Sequence, residues 1–263
     1  MSNNGVSSAQ VLCIFCNRRR PKAIEDVFPR WLSEELNSSG QVTTEFIIQL
    51  PRQSRTSRIQ RFGDLATVKL HRVCYRCNNE WMSKLEQLTK PLLIPMIRGE
   101  SCQSTPEEQR QISAWAQLKC LSLDAFYPRT RDGIQHLPPR VAHAFCQTYQ
   151  PLVSSTVTLG RFRPSAANEK IRLGRHMSNL PANEVHASLD VVVATFAFGQ
   201  LLIQVSIGAS GAVPPRQAAH SIVVQHSYLQ CWPSGDATVW PLPVPLSGTS
   251  LTWLPKQQSS CHK

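Results

Sequence analysis

The sequence has no long hydrophobic run. Its longest apolar stretch, Leu189 to Phe198, is broken by Asp190 and Thr195 and is roughly half of the ~20 residues that a membrane-spanning helix needs. No apolar signal core stands near the N-terminus, because Met1 to Gln10 is polar. The expectation is a cytoplasmic protein with no membrane partner. Apart from one pair of cysteine motifs there is no internal repeat. The composition is mixed throughout, which excludes collagen-like and fully disordered classes. Acidic residues are scarce: 17 Asp plus Glu stand against 28 Lys plus Arg, a net charge of +11 over 263 residues. Apolar residues make up 41% of the chain, slightly below the usual range but enough for a core. The length fits one large domain or two small ones.

The cation excess points to a polyanionic partner, with nucleic acid, DNA foremost, as the favoured one. Most of the cations are arginine, which grips phosphate bidentately. Two groups are candidate nucleic-acid contacts. Arg18, Arg19 and Arg20 form a run, and Arg52, Arg55, Arg58 and Arg61 recur every three residues among Ser and Gln, as on an exposed loop or ribbon. Such residues position a phosphate backbone without reading its sequence. The alternative is a solvated basic face. The oligomeric state stays open.

The nine cysteines are an odd number without a secretory signal, so a disulfide framework explains them poorly. Four fall into two identical spacings, Cys13-Ile14-Phe15-Cys16 and Cys74-Tyr75-Arg76-Cys77. Each pair can present two thiolates from one tight turn, and the two together complete the tetrahedral sulfur shell that zinc prefers. The 57 intervening residues, 17–73, exceed the ~15–20 of a zinc ribbon. A loop about three times longer costs only about 1 kcal/mol more to close, against roughly 10–16 kcal/mol for structural zinc binding in small peptides. The reading is a shared structural Zn2+, with redox pairs or plain core cysteines as alternatives. A four-sulfur zinc has no open position, so it holds a fold and does no chemistry. Cys120 and Cys146 sit in helical apolar patterns and read as core residues.

Residues 30–37 can form a short helix, and 41–50 are rich in β-formers. Trp81, Met82, Leu85 and Leu88 make an apolar stripe at helical period after the second Cys pair, with Pro91 and Pro95 expected to interrupt it and Gly99 to close it. Thr105-Pro106-Glu107-Glu108 is a capping box opening a helix whose buried side holds Ile112, Trp115, Ala116, Leu118 and Leu123. A third helix is expected over Pro139 to Gln147. From about residue 155 the pattern turns to β: Val157 to Leu159, a hairpin of Leu189–Phe198 and Leu201–Ile207 around Gly199-Gln200, and Ile222 to Val224. The fold class is α+β, with tails at 1–10 and 256–263, a zinc-stapled module at 11–100, and helices with a small antiparallel β part over 101–255.

Cys13-x-x-Cys16, Ile24-Glu25-Asp26-Val27-Phe28-Pro29-Arg30-Trp31-Leu32 and Val73-Cys74-x-x-Cys77-Asn78-Asn79-x-Trp81-Met82-x-x-Leu85-Glu86 together resemble the zinc-stapled HNH endonucleases. The specific part of the likeness covers about residues 11–100. It implies a ββα-metal module: a β-hairpin and a helix gripping one divalent metal, Mg2+ or Mn2+, that serves phosphodiester hydrolysis. Carried over by position, Glu25 becomes a metal ligand and Asn78 the helix-borne ligand. Asp26 stands where the family has its catalytic histidine. Unperturbed Asp titrates at ~3.9 against ~6.5 for His, and losing a positioned base costs ~10²–10⁴-fold in rate. His71, three residues before Cys74, is the one histidine that could approach the site. The expected function is therefore an HNH endonuclease with activity weakened at Asp26. The alternatives are a non-catalytic zinc-stabilised nucleic-acid-binding module and a zinc-dependent protein-interaction domain.

Overall fold

The computed structural model describes residues 11–37, 43–49, 57–62, 65, 68–126, 137–163, 171–180, 189–208, 228–233, 236–242 and 245–247. For the strands at 43–49, 57–62 and 171–180 only the backbone is described. The expected tails, Arg52, Arg55 and the Ile222–Val224 strand lie outside the described residues.

The fold mixes helix and sheet, as an α+β chain does. Strand β1 (Ala23–Asp26) pairs antiparallel with β4 (Lys69–Val73). Between them lie helix α1 (Arg30–Asn37) and the hairpin of β2 (Thr43–Gln49) and β3 (Ser57–Phe62). Arg58 and Arg61 thus fall on a two-stranded ribbon. After β4 the chain enters a helical turn, α2 (Tyr75–Cys77), a π-helical turn over Asn78–Met82, and helix α3 (Ser83–Arg98). The short strand β5 (Cys102–Ser104) precedes α4 (Pro106–Phe126), and α5 (Pro139–Thr148) follows.

Seven further strands follow among the described residues: β6 (Ser155–Arg163), β7 (Ile171–Leu180), β8 (Leu189–Phe198), β9 (Leu201–Gly208), β10 (Tyr228–Trp232), β11 (Thr238–Trp240) and β12 (Leu246–Ser247). An eight-stranded sheet runs β10-β6-β9-β8-β7-β2-β3, with β12 added parallel to β6. Its pairings are antiparallel except those of β2 with β7 and β12 with β6. The expected β part is therefore larger than a hairpin with satellites. It recruits the ribbon from between the two Cys pairs, and β5 pairs with β11 apart from it.

Local chemistry explains the helices. Thr105 and Glu108 form the reciprocal capping bonds, the Thr105 N–H donating to Glu108 Oε2 at 2.8 Å and the Glu108 N–H to Thr105 Oγ1 at 3.3 Å. From Ile112 to Ala125 every residue of α4 is buried, so this helix is the central rod of the core. Pro91 and Pro95 do not interrupt α3, which runs through both to Arg98. Pro91 is exposed, so water can take the carbonyl that a missing N–H leaves open. The helix ends in a Schellman pair, with Glu100 N–H on the Pro95 carbonyl and Gly99 N–H on the Met96 carbonyl. Trp81, Met82 and Leu85 of the expected stripe pack on the core, and the stripe continues along the helix without Leu88. Leu88 is exposed, while Thr89, Leu93, Met96 and Ile97 are the buried set.

The end of α3 is docked on the β8–β9 turn. Gln200 N–H donates to the Ile97 carbonyl at 2.8 Å and its side-chain amide to the Arg98 carbonyl at 3.1 Å. Contact is so close that a Cβ on Gly199 would lie 2.4 Å from the Ile97 carbonyl oxygen. Both Gly99 and Gly199 have positive φ, which glycine adopts without steric cost. Phe28 leans on Phe196 and Phe198 of β8, with ring centroids 5.9 and 5.6 Å apart. One hydrophobic cluster therefore joins residues of the first hundred, such as Val27 and Leu93, to Trp115, Val205 and Cys231. Among the described residues no helix is long and apolar enough to cross a membrane.

Candidate metal centre

Two tight turns carry the four thiols. In the first, Asn17 N–H donates to the Cys13 carbonyl at 2.9 Å, and Cys13 N–H to the Arg19 carbonyl at 2.8 Å. Asn17 sits at φ 49°, a left-handed conformation that asparagine tolerates. In the second, extended Cys74 leads into α2, and Asn78 N–H reaches back to the Cys74 carbonyl at 3.1 Å. One bond, Ile14 N–H to the Arg72 carbonyl at 3.0 Å, lays the first turn against the end of β4. That contact closes the 57-residue gap.

The four sulfurs lie within 4.8 Å of one another, and Cys16 and Cys74 are 3.8 Å apart. A tetrahedron with Zn–S bonds of about 2.3 Å has edges of about 3.8 Å. These thiols can hold one metal ion such as zinc after a contraction of about an ångström at the longest edge. Without a cation the Cys13 and Cys74 thiols hold their protons more tightly than a free cysteine does. The Cys13 thiol is pushed up to about 12, by its hydrogen bond with Cys77 and then by burial. Burial also raises Cys74. A metal ion must displace these protons, so binding strengthens as pH rises. Beneath the turns Phe15 meets Trp81 edge to face at 5.3 Å, and the His143 ring nitrogen Nδ1 is 3.0 Å from the Phe15 carbonyl.

Cys146, read from sequence as a core residue, is half-buried and stands beside the cluster. Its hydrogen bond with Cys77 lowers its own pKa. It lines a hollow of about 410 Å³ over the cluster, together with Arg18, Arg19, Arg76, His143 and Tyr149. Arg18, Arg19 and Arg20 are exposed.

The acids of β1 occupy a different region. Burial alternates along the strand, so Ile24 faces out and Glu25 in, at 7% exposure. There Glu25 meets two groups that the sequence reading gave no role, Glu86 of α3 and Lys119 of α4. Lys119 is fully buried and ion-paired with Glu86. Asp26 is ion-paired with Lys69 on the paired strand. Burial raises the Glu25 carboxyl to about 7; Lys119 pulls it down, Glu86 and Asp26 push it up, and Lys69 pulls it down.

Between the ordinary carboxyl range and about pH 7 the folded chain holds a proton that the unfolded chain has released. Glu25 therefore contributes stability that is complete at low pH and lost as pH rises through about 7. The swing is on the order of 3 kcal/mol. Without added magnesium or manganese, the melting temperature of the wild type should fall from pH 5 to pH 8 more steeply than that of Glu25→Gln. Parallel slopes would show that Glu25 ionises as freely as in the unfolded chain.

Asn78 is half-exposed at the start of the helix, with its amide on Asn79 Oδ1 at 3.2 Å. Eight residues separate it from Glu86, or about 12 Å of helix axis. The helix thus presents Glu86, not Asn78, to Glu25. His71 is exposed, whereas Leu70, the strand partner of Glu25, is buried. Strand alternation puts His71 on the face away from Glu25. For Lys119 the sequence signal was a lone lysine within a long apolar helix segment. For Glu86 it was a position inside the motif that carries the resemblance. For Cys146 there was none, because only the docking of α5 brings it to the thiols. No family model, curated protein or solved structure matches the chain, and the functional reading rests on these residues.

Proposed function

We propose that this chain is a zinc-stapled HNH-type nuclease that hydrolyses nucleic-acid phosphodiester bonds with one divalent cation, at a rate lowered by Asp26. The observation that carries the reading is the antiparallel β1–β4 pair leading directly into a helix, with its base at the four-thiol cluster and Glu25 turned toward that helix. The donor chemistry fits Mg2+ or Mn2+. Glu25, Asp26 and Glu86 offer only carboxylate oxygens, and buried like charges call for a cation between them. Glu25 would hold the ion from the inward face of β1 with Glu86 opposite it, and the ion would supply positive charge to a phosphate in the transition state. Exposed Arg18 and Arg19 are free to fix the phosphate backbone, and the Asn78 amide can donate to it. Asp26 takes the proton of the attacking water, and an aspartate in place of the family's histidine limits the rate.

A supercoiled-plasmid nicking assay with magnesium or manganese tests this. Asp26→His should raise nicking by about 10². No gain in a folded, zinc-loaded variant would count against placing the base at position 26. A second reading, a non-catalytic nucleic-acid-binding module, is favoured by the ion pairs of Lys69 with Asp26 and Lys119 with Glu86. They already neutralise two of the three carboxylates. On that reading neither protein nicks, yet both bind DNA with an affinity that falls linearly in log salt.

A further inference from the structure

The hollow over the thiol cluster has a feature the hydrolytic site does not use. Tyr149 caps α5 at φ 57°, and its ring is stacked on Trp81 with centroids 5.0 Å apart and planes 21° from parallel. Trp81 is itself wedged against Phe15 and Phe145, at 5.3 and 5.9 Å, so the stack is rigid. Tyr149 is nonetheless 46% exposed. It forms a wall between two hollows, the one above the thiols and a second of about 380 Å³ between α3 and α4. Cations stand on both sides of the ring. Arg18 and Arg19 line the first hollow and Lys84 the second. Arg76 is committed to Glu80 at 3.0 Å and Arg110 to Glu107, but among the described residues Arg18 and Arg19 have no acidic partner. Gln147 and His143, 3.4 Å apart, add hydrogen-bonding edges on the floor.

An aromatic platform braced on one face, open elsewhere and flanked by cations is what an unpaired nucleotide requires. Its base stacks on the ring and its phosphates meet the guanidinium and ammonium groups. A paired base is already stacked within its duplex and cannot use such a platform. We propose that this hollow docks an unpaired nucleotide of a single-stranded segment, with the base on Tyr149, one flanking phosphate on Arg18 and Arg19, and the other, across the ring in the second hollow, on Lys84. The inference rests on the nucleic-acid reading and names the substrate form: a strand that is single, or frayed, beside the hydrolytic site.

The test is fluorescence anisotropy of the zinc-loaded 263-residue chain with a labelled oligothymidine strand and a labelled blunt-ended duplex, over a salt series. Tyr149→Ala should weaken the single strand about tenfold and leave the duplex unchanged, while Tyr149→Phe binds as wild type. The double variant Arg18→Ala, Arg19→Ala should reduce the slope of log affinity on log salt by about 1.4 with zinc content unchanged. A tetrathiolate zinc is itself negative, so arginines that serve only to balance it would cost zinc and leave the slope alone. That outcome overturns their assignment to phosphate. Wild-type binding that Tyr149→Ala does not alter overturns the hollow while the nucleic-acid reading stands. Wild type that binds neither oligonucleotide at low salt overturns both.

Discussion

Replacing Cys74 by serine is expected to release the metal ion and to unfold the segment built on it. Cys74 is buried, its sulfur lies 3.8 Å from that of Cys16, and all four sulfurs fall within 4.8 Å. Serine cannot complete a tetrahedral thiolate shell. Structural zinc is worth roughly 10–16 kcal/mol in small peptides, comparable to the whole stability of a domain. At this end the first Cys turn is held on β4 by one main-chain bond, Ile14 to Arg72, and by the packing of Phe15 on Trp81. The expected result is a protein without bound zinc that melts in a broad transition at far lower temperature. Cys146→Ser is the matched control, since Cys146 stands outside the set of four, and it should keep one zinc per chain. A Cys74→Ser protein with wild-type metal content and melting temperature would remove the staple from the account.

The second large effect is expected at Lys119. Its ammonium is fully buried, pairs with Glu86, acts on Glu25 and sits 5.7 Å from the centre of the Trp115 ring. Lys119→Met conserves length and packing but leaves two acids without their cation. Removing one partner of a buried pair typically costs 3–5 kcal/mol, a fall in melting temperature on the order of 10 °C for a chain of this size. The loss should be larger at pH 8 than at pH 5, because Glu25 becomes charged across that interval. Adding Glu86→Gln to Lys119→Met should restore much of the loss, since replacing both members of a buried pair is often close to neutral. If the double variant is as unstable as the single one, Lys119 serves packing and not charge.

The two predictions differ in how far their residues could be seen without the fold. The four zinc-compatible cysteines were legible because CxxC is a local geometry. Two thiols on one turn need no tertiary information, and a repeated spacing names its own partner. The capping box at Thr105, the hairpin around Gly199-Gln200 and the helix from Pro139 were legible for the same reason, since hydrogen bonds within a few residues set them. Prolines 91 and 95 misled, because whether a helix tolerates a missing donor depends on the solvent exposure of one carbonyl. Of the stripe after Cys77, Trp81, Met82 and Leu85 do pack on the core, and only Leu88 falls on the exposed side.

The sequence by itself determined that two sulfur turns exist, that acids precede Phe28-Pro29, and that the chain is strongly basic. Tertiary structure alone decided which groups meet. It carried β2 and β3 into the C-terminal sheet, turned Glu25 inward onto Glu86 and Lys119, and set Cys146 and Tyr149 beside the first Cys turn. The physical reason is range. Turn and cap energies act over a few residues and leave a mark in the local pattern. The partner of a buried charge or an aromatic ring is chosen by the packing of elements distant in the chain, here α3, α4 and α5, and no local pattern records that choice.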